Sequence, residues 1–531
     1  MTNLIDHVLS RRKLLTLIGK AVGGAAMYQS METLGLAASS PYTGPLNLSG
    51  APRGTSILIL GAGMAGLVAA FELKQAGYQV KVLEFNDRAG GRAWTLRGGD
   101  RYTELGGETQ LCSFSKGLYF NPGPWRIPYN HFGILDYAKR LKVPLEPFIQ
   151  VNYNAYLHST DAFDGKPQRY REVQADYQGY VGELLSKALK KDTLDDSITR
   201  EDQEKLLESL RSWGALDKNQ RYGASRRASN RRGFATGPGG GLMPRSVPSA
   251  PLPRDELISS QLWQWLSSGS EMEFQSTIFQ PVGGMDRIAQ ALYREVASDV
   301  ILKAKVTDIA QTDSQVYVRY TDLSQGATQR EARADWLVCA LPLSILSQIP
   351  ITVGPDMQAA IDAVPYEPSV KVGLQFRRRF WEEDEHIYGG ITHTDLPIST
   401  IGYPATDYGR SGPAVVLGAY MWGPAAYEVG SMSSAERVAF AVSQGGKIHP
   451  QYEREFQNGM AVNWSRSPFT NGCFAAWTEE LRAKHYDNLC QIDGRIVLAG
   501  EHASFLPAWQ EGAVLSSLDA ISRLHAKIVS V

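Results

Sequence analysis

The stretch Thr55–Thr95, TSILILGAGMAGLVAAFELKQAGYQVKVLEFNDRAGGRAWT, decides the fold. Ser56 to Leu60 is an apolar run of β type, and Gly61-Ala62-Gly63-Met64-Ala65-Gly66 follows without a gap. Leu67 to Ala76 reads as a helix, Gly77 as its stop, and Gln79 to Leu83 as a second strand ending on Glu84. Strand, Gly-x-Gly-x-x-Gly, helix, strand and acid in this order predict a dinucleotide-binding βαβ unit. Gly61 permits the tight turn, Gly63 lets the backbone approach a diphosphate, and Gly66 lets the helix lie close to the strand. Met64 and Ala65 open the helix, whose free N–H groups and positive dipole end favour phosphate. Glu84, with Phe85 beside it, is placed to accept hydrogen bonds from ribose hydroxyls.

The next residues narrow the cofactor. Arg88-Ala89-Gly90-Gly91-Arg92-Ala93-Trp94-Thr95 has the form R-x-G-G-R-x-x-T. A second glycine pair beside two arginines suits a second close pass at a diphosphate, with charge-assisted hydrogen bonds from Arg92. Here the chain resembles the flavin-containing amine oxidase family, which implies FAD as cofactor. The resemblance implies an α/β, multidomain fold: a Rossmann-like FAD domain, a mixed-sheet substrate domain and a helical insert.

At 531 residues, two or three domains are expected. A net charge of −1 with 21% charged residues gives no global attraction to nucleic acid or acidic membranes. Cys112, Cys339, Cys473 and Cys490 form no CxxC pair, and the nine histidines show no tight ligand spacing, so neither a disulfide framework nor a metal site is expected. Ser10-Arg11-Arg12-Lys13-Leu14-Leu15, an apolar run to about Met27, and small residues to Ser39 look like a twin-arginine export signal. That predicts passage through the twin-arginine translocon to the periplasm or medium; a retained basic helix, and a cytoplasmic protein, is the alternative. The segment is too short and glycine-rich for a stable membrane span. The expected organisation is a signal and linker over 1–40 and FAD-domain parts over 54–120, 271–345 and 471–531. A mainly helical domain fills 121–270, and the substrate domain 346–470.

Asn121-Pro122-Gly123-Pro124-Trp125-Arg126-Ile127-Pro128 fixes one arginine between prolines in an apolar, aromatic stretch. A guanidinium held this way suits bidentate binding of a planar carboxylate, although it could instead brace a loop. The segment resembles the L-amino acid oxidase branch of the family, in which this arginine holds the substrate α-carboxylate; Gly123, Pro124 and Trp125 then border the flavin. The same resemblance assigns Val306 to a backbone contact with the nucleotide, Lys371 to a catalytic water and Tyr420 to the carboxylate beside Arg126. It assigns Phe474 to the wall beside the flavin and Glu501 to the ribityl chain. Ala508, Trp509, Gln510, Glu511, Gly512 and Ala513 open a last helix toward the flavin, with Ala508 where venom-type oxidases have glycine. Phe474 and Trp509 together imply an aromatic slot for the substrate amine. A strand-edge surface position for Lys371 and a core position for Tyr420 remain the structural alternatives. Cys473 lies where monoamine oxidases carry a covalently linked cysteine, so both a non-covalent and a covalent FAD are open.

Tyr170 to Lys191 and Thr199 to Leu216 read as amphipathic helices, the second opened by a capping box. Seven arginines and no acid lie between Arg221 and Arg254. With aromatics for base stacking nearly absent, this segment is expected to be a long flexible loop over the entrance, or a processing site. The function implied is FAD-dependent oxidation of L-amino acids by O₂, with large apolar or aromatic substrates favoured. An amine or polyamine oxidase, an amino acid 2-monooxygenase and a non-enzymatic flavoprotein are the alternatives, and a homodimer is one assembly left open.

Overall fold

The computed structural model describes residues 40–190 and 199–530, so the expected export signal lies outside the described residues. Ser56–Leu60 sits inside a six-stranded sheet, in the order Val300–Ile301, Gln79–Leu83, Ser56–Leu60, Trp336–Cys339, Ile496–Leu498, Ile492–Asp493. Every pair is parallel except the last. Its apolar strands are covered on both faces, as parallel strands require. One face carries the helices Met64–Gln75, Arg287–Val296 and Gln510–Val529. The other carries the meander Ala304–Gln311, Val316–Asp322, Thr328–Ala334. Met64–Gln75 is apolar nearly all round and buried from Met64 to Leu73, because it is sandwiched between sheet and helices.

A second sheet of seven strands runs Phe456–Asn463, Ser369–Phe376, Ala414–Trp422, Thr400–Tyr403, Gly390–Thr394, Tyr156–His158, Gln168–Arg169. The last two strands come from the segment expected to be mainly helical, and Leu145–Phe148 pairs with Ile278–Pro281. Residues 121–270 are therefore not a helical domain alone. Every residue of Ser369–Phe376 is buried. Val370, Val372, Leu374 and Phe376 enter the core beneath the helices Gly423–Gly430 and Ser434–Gly446. On the opposite face Gly373 leaves room for Phe120, whose ring would lie 2.6 Å from a Cβ there. Simple alternation would put Lys371 in water; here the second face is also covered, and Lys371 is buried.

The helices Tyr170–Lys190 and Arg200–Trp213 form close to the expected bounds, the second with Thr199 and Asp202 in a reciprocal capping box. The arginine-rich segment departs from expectation. Ser225 caps a helix, Arg226–Arg232, and Arg232 is buried in an ion pair with Asp176 (Nε–Oδ1 2.8 Å) that also receives the Tyr222 hydroxyl. A charge buried this way needs its partner, so the segment is pinned to the Tyr170–Lys190 helix rather than free. The Phe234–Thr236/Val247–Pro248 hairpin follows. No described helix is long and apolar enough to cross a membrane.

Candidate active site

The two glycine motifs meet. Gly63 bridges to Gly90, and a Cβ on Gly91 would lie 3.1 Å from the Gly63 Cα. A Cβ on Gly66 would sit 1.9 Å from the Gly61 carbonyl oxygen, so only glycine lets the helix lie this close to the first strand. Glu84 accepts from the Ala62 amide (2.6 Å) and from the Asn86 amide and side chain. Its two oxygens retain acceptor capacity for a hydroxyl. Arg92 donates to Glu501 (2.8 Å) and to the Cys473 carbonyl (2.6 Å), tying the second glycine loop to the C-terminal part of the chain.

These groups line one end of a single cavity. Gly61, Gly63, Met64, Ala65, Glu84, Phe85 and Arg92 form that end. Gly123, Pro124, Trp125, Arg126, Tyr420 and Trp509 form the other. Glu501, Ala508, Gln510 and Ala513 also line it. A space with glycine-lined backbone and a helix N-terminus at one end suits a flavin dinucleotide. Gln510 strengthens the fit: it is buried, it faces the cavity, and neither atom of its amide has a hydrogen-bond partner among the described residues. A buried amide without partners is costly unless a ligand supplies them.

The far end is built from side chains brought together by sheet register. Lys371 lies directly opposite Tyr420 in the antiparallel pair Ser369–Phe376/Ala414–Trp422, next to a bulge at Val372/Gly373. The Lys371 ammonium donates to the Gly123 carbonyl (2.6 Å) and sits 4.0 Å from the Tyr420 ring centroid. Burial, with Arg126 nearby, lowers its pKa to about 7. The Gly123 backbone itself runs tight against the second glycine loop, since a Cβ there would be 1.8 Å from the Arg92 carbonyl oxygen. Arg126 is 7% exposed and lies among three rings, with its guanidinium carbon 4.4 Å from the Phe274 centroid, 5.5 Å from Trp125 and 5.7 Å from Trp509. The guanidinium therefore belongs to the cavity wall and not to the outer surface.

Six of the expected site residues do not line the cavity, although Gly66 serves the helix–strand packing expected of it and the core place of the Val306 side chain leaves its expected backbone contact open. Gly66 and Gly512 act in packing; a Cβ on Gly512 would meet the Leu506 carbonyl oxygen at 2.1 Å. Val306 is core of the three-stranded meander. Glu511 turns away from the cavity and caps another helix, Phe132–Arg140, accepting from the Gly133 and Ile134 amides (2.9 and 2.8 Å). Lys371 lies behind the wall formed by Gly123 and Tyr420. Phe474 is screened by Trp422, whose ring meets it edge-on at 5.5 Å and itself lines the cavity. Trp422 is legible in principle: two residues past Tyr420 on one strand, it points to the same side.

Two further lining residues escape sequence reading. The Trp464 indole donates to the Pro122 carbonyl (2.8 Å). His131 immediately precedes the Phe132–Arg140 helix, packs edge-on to Trp509 at 4.9 Å, and is held neutral by burial, its pKa lowered to about 3. Ala508 has φ +70°, the left-handed region that favours glycine, and still turns its chain into the cavity. No residue of the arginine-rich segment lines the cavity.

Comparison with known proteins agrees with this architecture. Residues 64–524 match the family model described as flavin containing amine oxidoreductase. An L-amino-acid oxidase of Siganus canaliculatus is 28% identical over 476 residues, covering 88% of this chain and 85% of that one. The flavin-dependent L-tryptophan oxidase RebO of Lentzea aerocolonigenes is 28% identical over 502 residues, covering 88% and 98%. The cyclohexylamine oxidase structure from Brevibacterium oxydans IH-35A shares the fold, with a TM-score of 0.58 at 16% identity over 90% of this chain and 99% of that chain. With a family match running from Met64, within the first glycine motif, through the second motif and into the last helix, the chain belongs to the flavin-containing amine oxidoreductases.

Proposed function

We propose that the protein is an FAD-dependent L-amino acid oxidase that converts large apolar or aromatic L-amino acids to 2-oxo acids, with ammonia and H₂O₂ as the other products. One observation carries this reading: Arg126 is buried among aromatic rings on the wall of the cavity that the nucleotide-binding loops also line. A simple amine has no group for that guanidinium, whereas an amino acid carboxylate matches its planar donor fork. The L-amino-acid oxidase names of the relatives point the same way.

FAD held by the glycine loops, Glu84 and Arg92 would supply the redox chemistry, a two-electron oxidation of the substrate coupled to reduction of O₂. The chain supplies position and proton handling. Arg126 and Tyr420 hold the carboxylate, which fixes the Cα–H bond in one orientation. Trp125, Trp422 and Trp509 bound the space left for the side chain and favour apolar or aromatic groups over charged ones. Lys371, neutral in half its molecules near pH 7, can take the proton that the substrate ammonium must lose before oxidation through a water that reaches past the Gly123 and Tyr420 wall. FAD is non-covalent on this reading, and the Arg11-Arg12 signal supports export to the periplasm or medium; replacing both with lysine should retain the protein in the cytoplasm.

The test is a peroxide assay over the twenty L- and D-amino acids and the matching simple amines. L-Phenylalanine, L-tryptophan or L-leucine should lead. Equal turnover of amines sinks the carboxylate clamp, and a wide lead for lysine or glutamate sinks the aromatic slot.

A further inference from the structure

The catalytic cavity has a neighbour. A second hollow opens on the surface, with Gly117, Thr406 and Asp407 at its rim and Gly402, Leu417 and Trp125 deeper in. Trp125 is the residue that lines both spaces, so its indole forms part of the wall between them. The ring packs against the Thr400–Tyr403 strand at Gly402, where a Cβ would be 2.1 Å from the Trp125 Cζ2. Phe148 meets it edge-on at 5.3 Å and Tyr420 at 6.1 Å. Glycine at 402 therefore serves the indole, and the indole belongs to the wall.

An aromatic wall of this kind treats molecules unequally. A zwitterionic amino acid would have to shed its hydration to cross, and the desolvation of two charges forbids it. A diatomic, apolar gas loses nothing comparable and needs only the gap that small ring motions open on fast timescales. The proposed reaction makes such a path useful. While substrate or imino acid lies against Arg126 and Tyr420, the main cavity is filled, yet O₂ must reach the same flavin.

We propose that the second hollow is the entry for O₂ and that Trp125 is the partition it crosses. In the step served, reduced flavin (FADH⁻) gives two electrons and one proton, solvent gives the second proton, O₂ leaves as H₂O₂, and oxidised FAD is restored. The inference rests on the oxidase reading above, but its test does not need the amino acid substrate.

Thr406→Trp fills the hollow from its rim, and Val415→Trp fills it from the opposite, half-buried wall; neither residue lines the catalytic cavity. Holoenzyme is reduced with dithionite without air and mixed with O₂-containing buffer in a stopped-flow instrument while the flavin absorbance returns. Both variants should reoxidise about threefold or more slowly, as expected where access limits the encounter. Anaerobic reduction by an amino acid should keep its wild-type rate, and Thr406→Ser should match wild type in both half-reactions. Wild-type reoxidation in FAD-loaded Thr406→Trp and Val415→Trp overturns the route while leaving the oxidase reading in place. Equal slowing of both half-reactions also overturns it, because a general distortion then explains the effect. Reduced wild-type enzyme that ignores O₂ overturns the oxidase reading, and the route with it.

Discussion

The two ends of the cavity are made by different means. At the nucleotide end, the groups that face a ligand are mostly backbone, and what the sequence must supply is the absence of side chains at Gly61, Gly63, Gly66, Gly90 and Gly91. Those positions lie within about one βαβ unit of each other. At the clamp end the groups are side chains, and Arg126, Tyr420 and Trp509 arrive from three distant parts of the chain, with Lys371 behind them. Their meeting depends on one strand pairing, Lys371 opposite Tyr420, and on a bulge beside it. A backbone site tolerates little change in shape; a side-chain site tolerates loss of one member at a graded cost.

The sharpest way to break that contrast is Gly66→Ala. The added Cβ would lie 1.9 Å from the Gly61 carbonyl oxygen, and both atoms belong to backbone that cannot swing aside. Overpacking of this kind costs about 1–3 kcal/mol or more, and the displaced helix carries the phosphate-facing amides. The variant should purify without bound flavin, as read from the absence of visible flavin absorbance. Normal FAD content would show that the close approach at Gly66 is dispensable.

Arg126→Ala comes next in size. Removing one partner of a buried charged hydrogen-bonded pair costs about 2–5 kcal/mol, roughly one and a half to three and a half decades in kcat/KM. FAD content should not change, and the preference for amino acids over the matching amines should collapse. Arg126→Lys should restore only part of the activity, because a point charge cannot make the planar two-pronged contact. Unchanged kcat/KM on amino acids in Arg126→Ala would remove the clamp from the mechanism.

The same contrast decides how much of the molecule is legible in its sequence. The nucleotide end is legible because its motif is local and its physical demand, room for backbone, shows as glycine. At the other end Arg126 is legible because prolines and rings surround it within a few residues. Phe474 misleads, since an aromatic close in sequence to the site can still stand behind another, here Trp422. The arginine-rich segment misleads for a related reason. The acid that buries Arg232 is Asp176, on a helix 56 positions earlier, and nothing near Arg232 announces it. Glu511 belongs to a helix start that faces the cavity, yet two free amides of a different helix claim its carboxylate.

Lys371 sharpens the comparison through pH. Its pKa in the fold is about 7, below the value of about 10.4 for an unfolded lysine. Neutral Lys371, the form able to take a proton, dominates above about 7, so kcat/KM should rise with pH through that value. Lys371→Met should lack this limb and run on the order of a hundredfold slower. Stability gives an independent reading. Between about pH 7 and 10.4 the unfolded chain binds the proton that the folded chain has lost, so unfolding becomes harder as pH rises across that window. The variant should lose that slope in Tm against pH. A wild-type Tm that falls steadily over the window, with no difference from Lys371→Met, would place the ammonium in water.

The smallest effect is expected at Cys473, which lines the cavity between the two ends. Burial raises its thiol pKa to about 12, and the nearby Arg92 and Lys371 charges offset only part of that rise. Thiolate is the reactive form, so little of it exists near neutral pH and bond formation to the flavin is slow on this account. What Cys473 contributes is its backbone: its carbonyl accepts from Arg92, which links the second glycine loop to Glu501 and so joins the two ends. Alanine keeps that carbonyl. Cys473→Ala should retain FAD and stay within about twofold of wild-type kcat/KM, in line with the small cost of replacing a free cysteine that packs as a small apolar side chain. Acid precipitation should release the flavin into the supernatant from wild type and variant alike. Flavin that stays with the precipitated wild-type protein and is freed only in the variant would mean a thioether forms despite the raised pKa, and this side chain would then bind the cofactor directly.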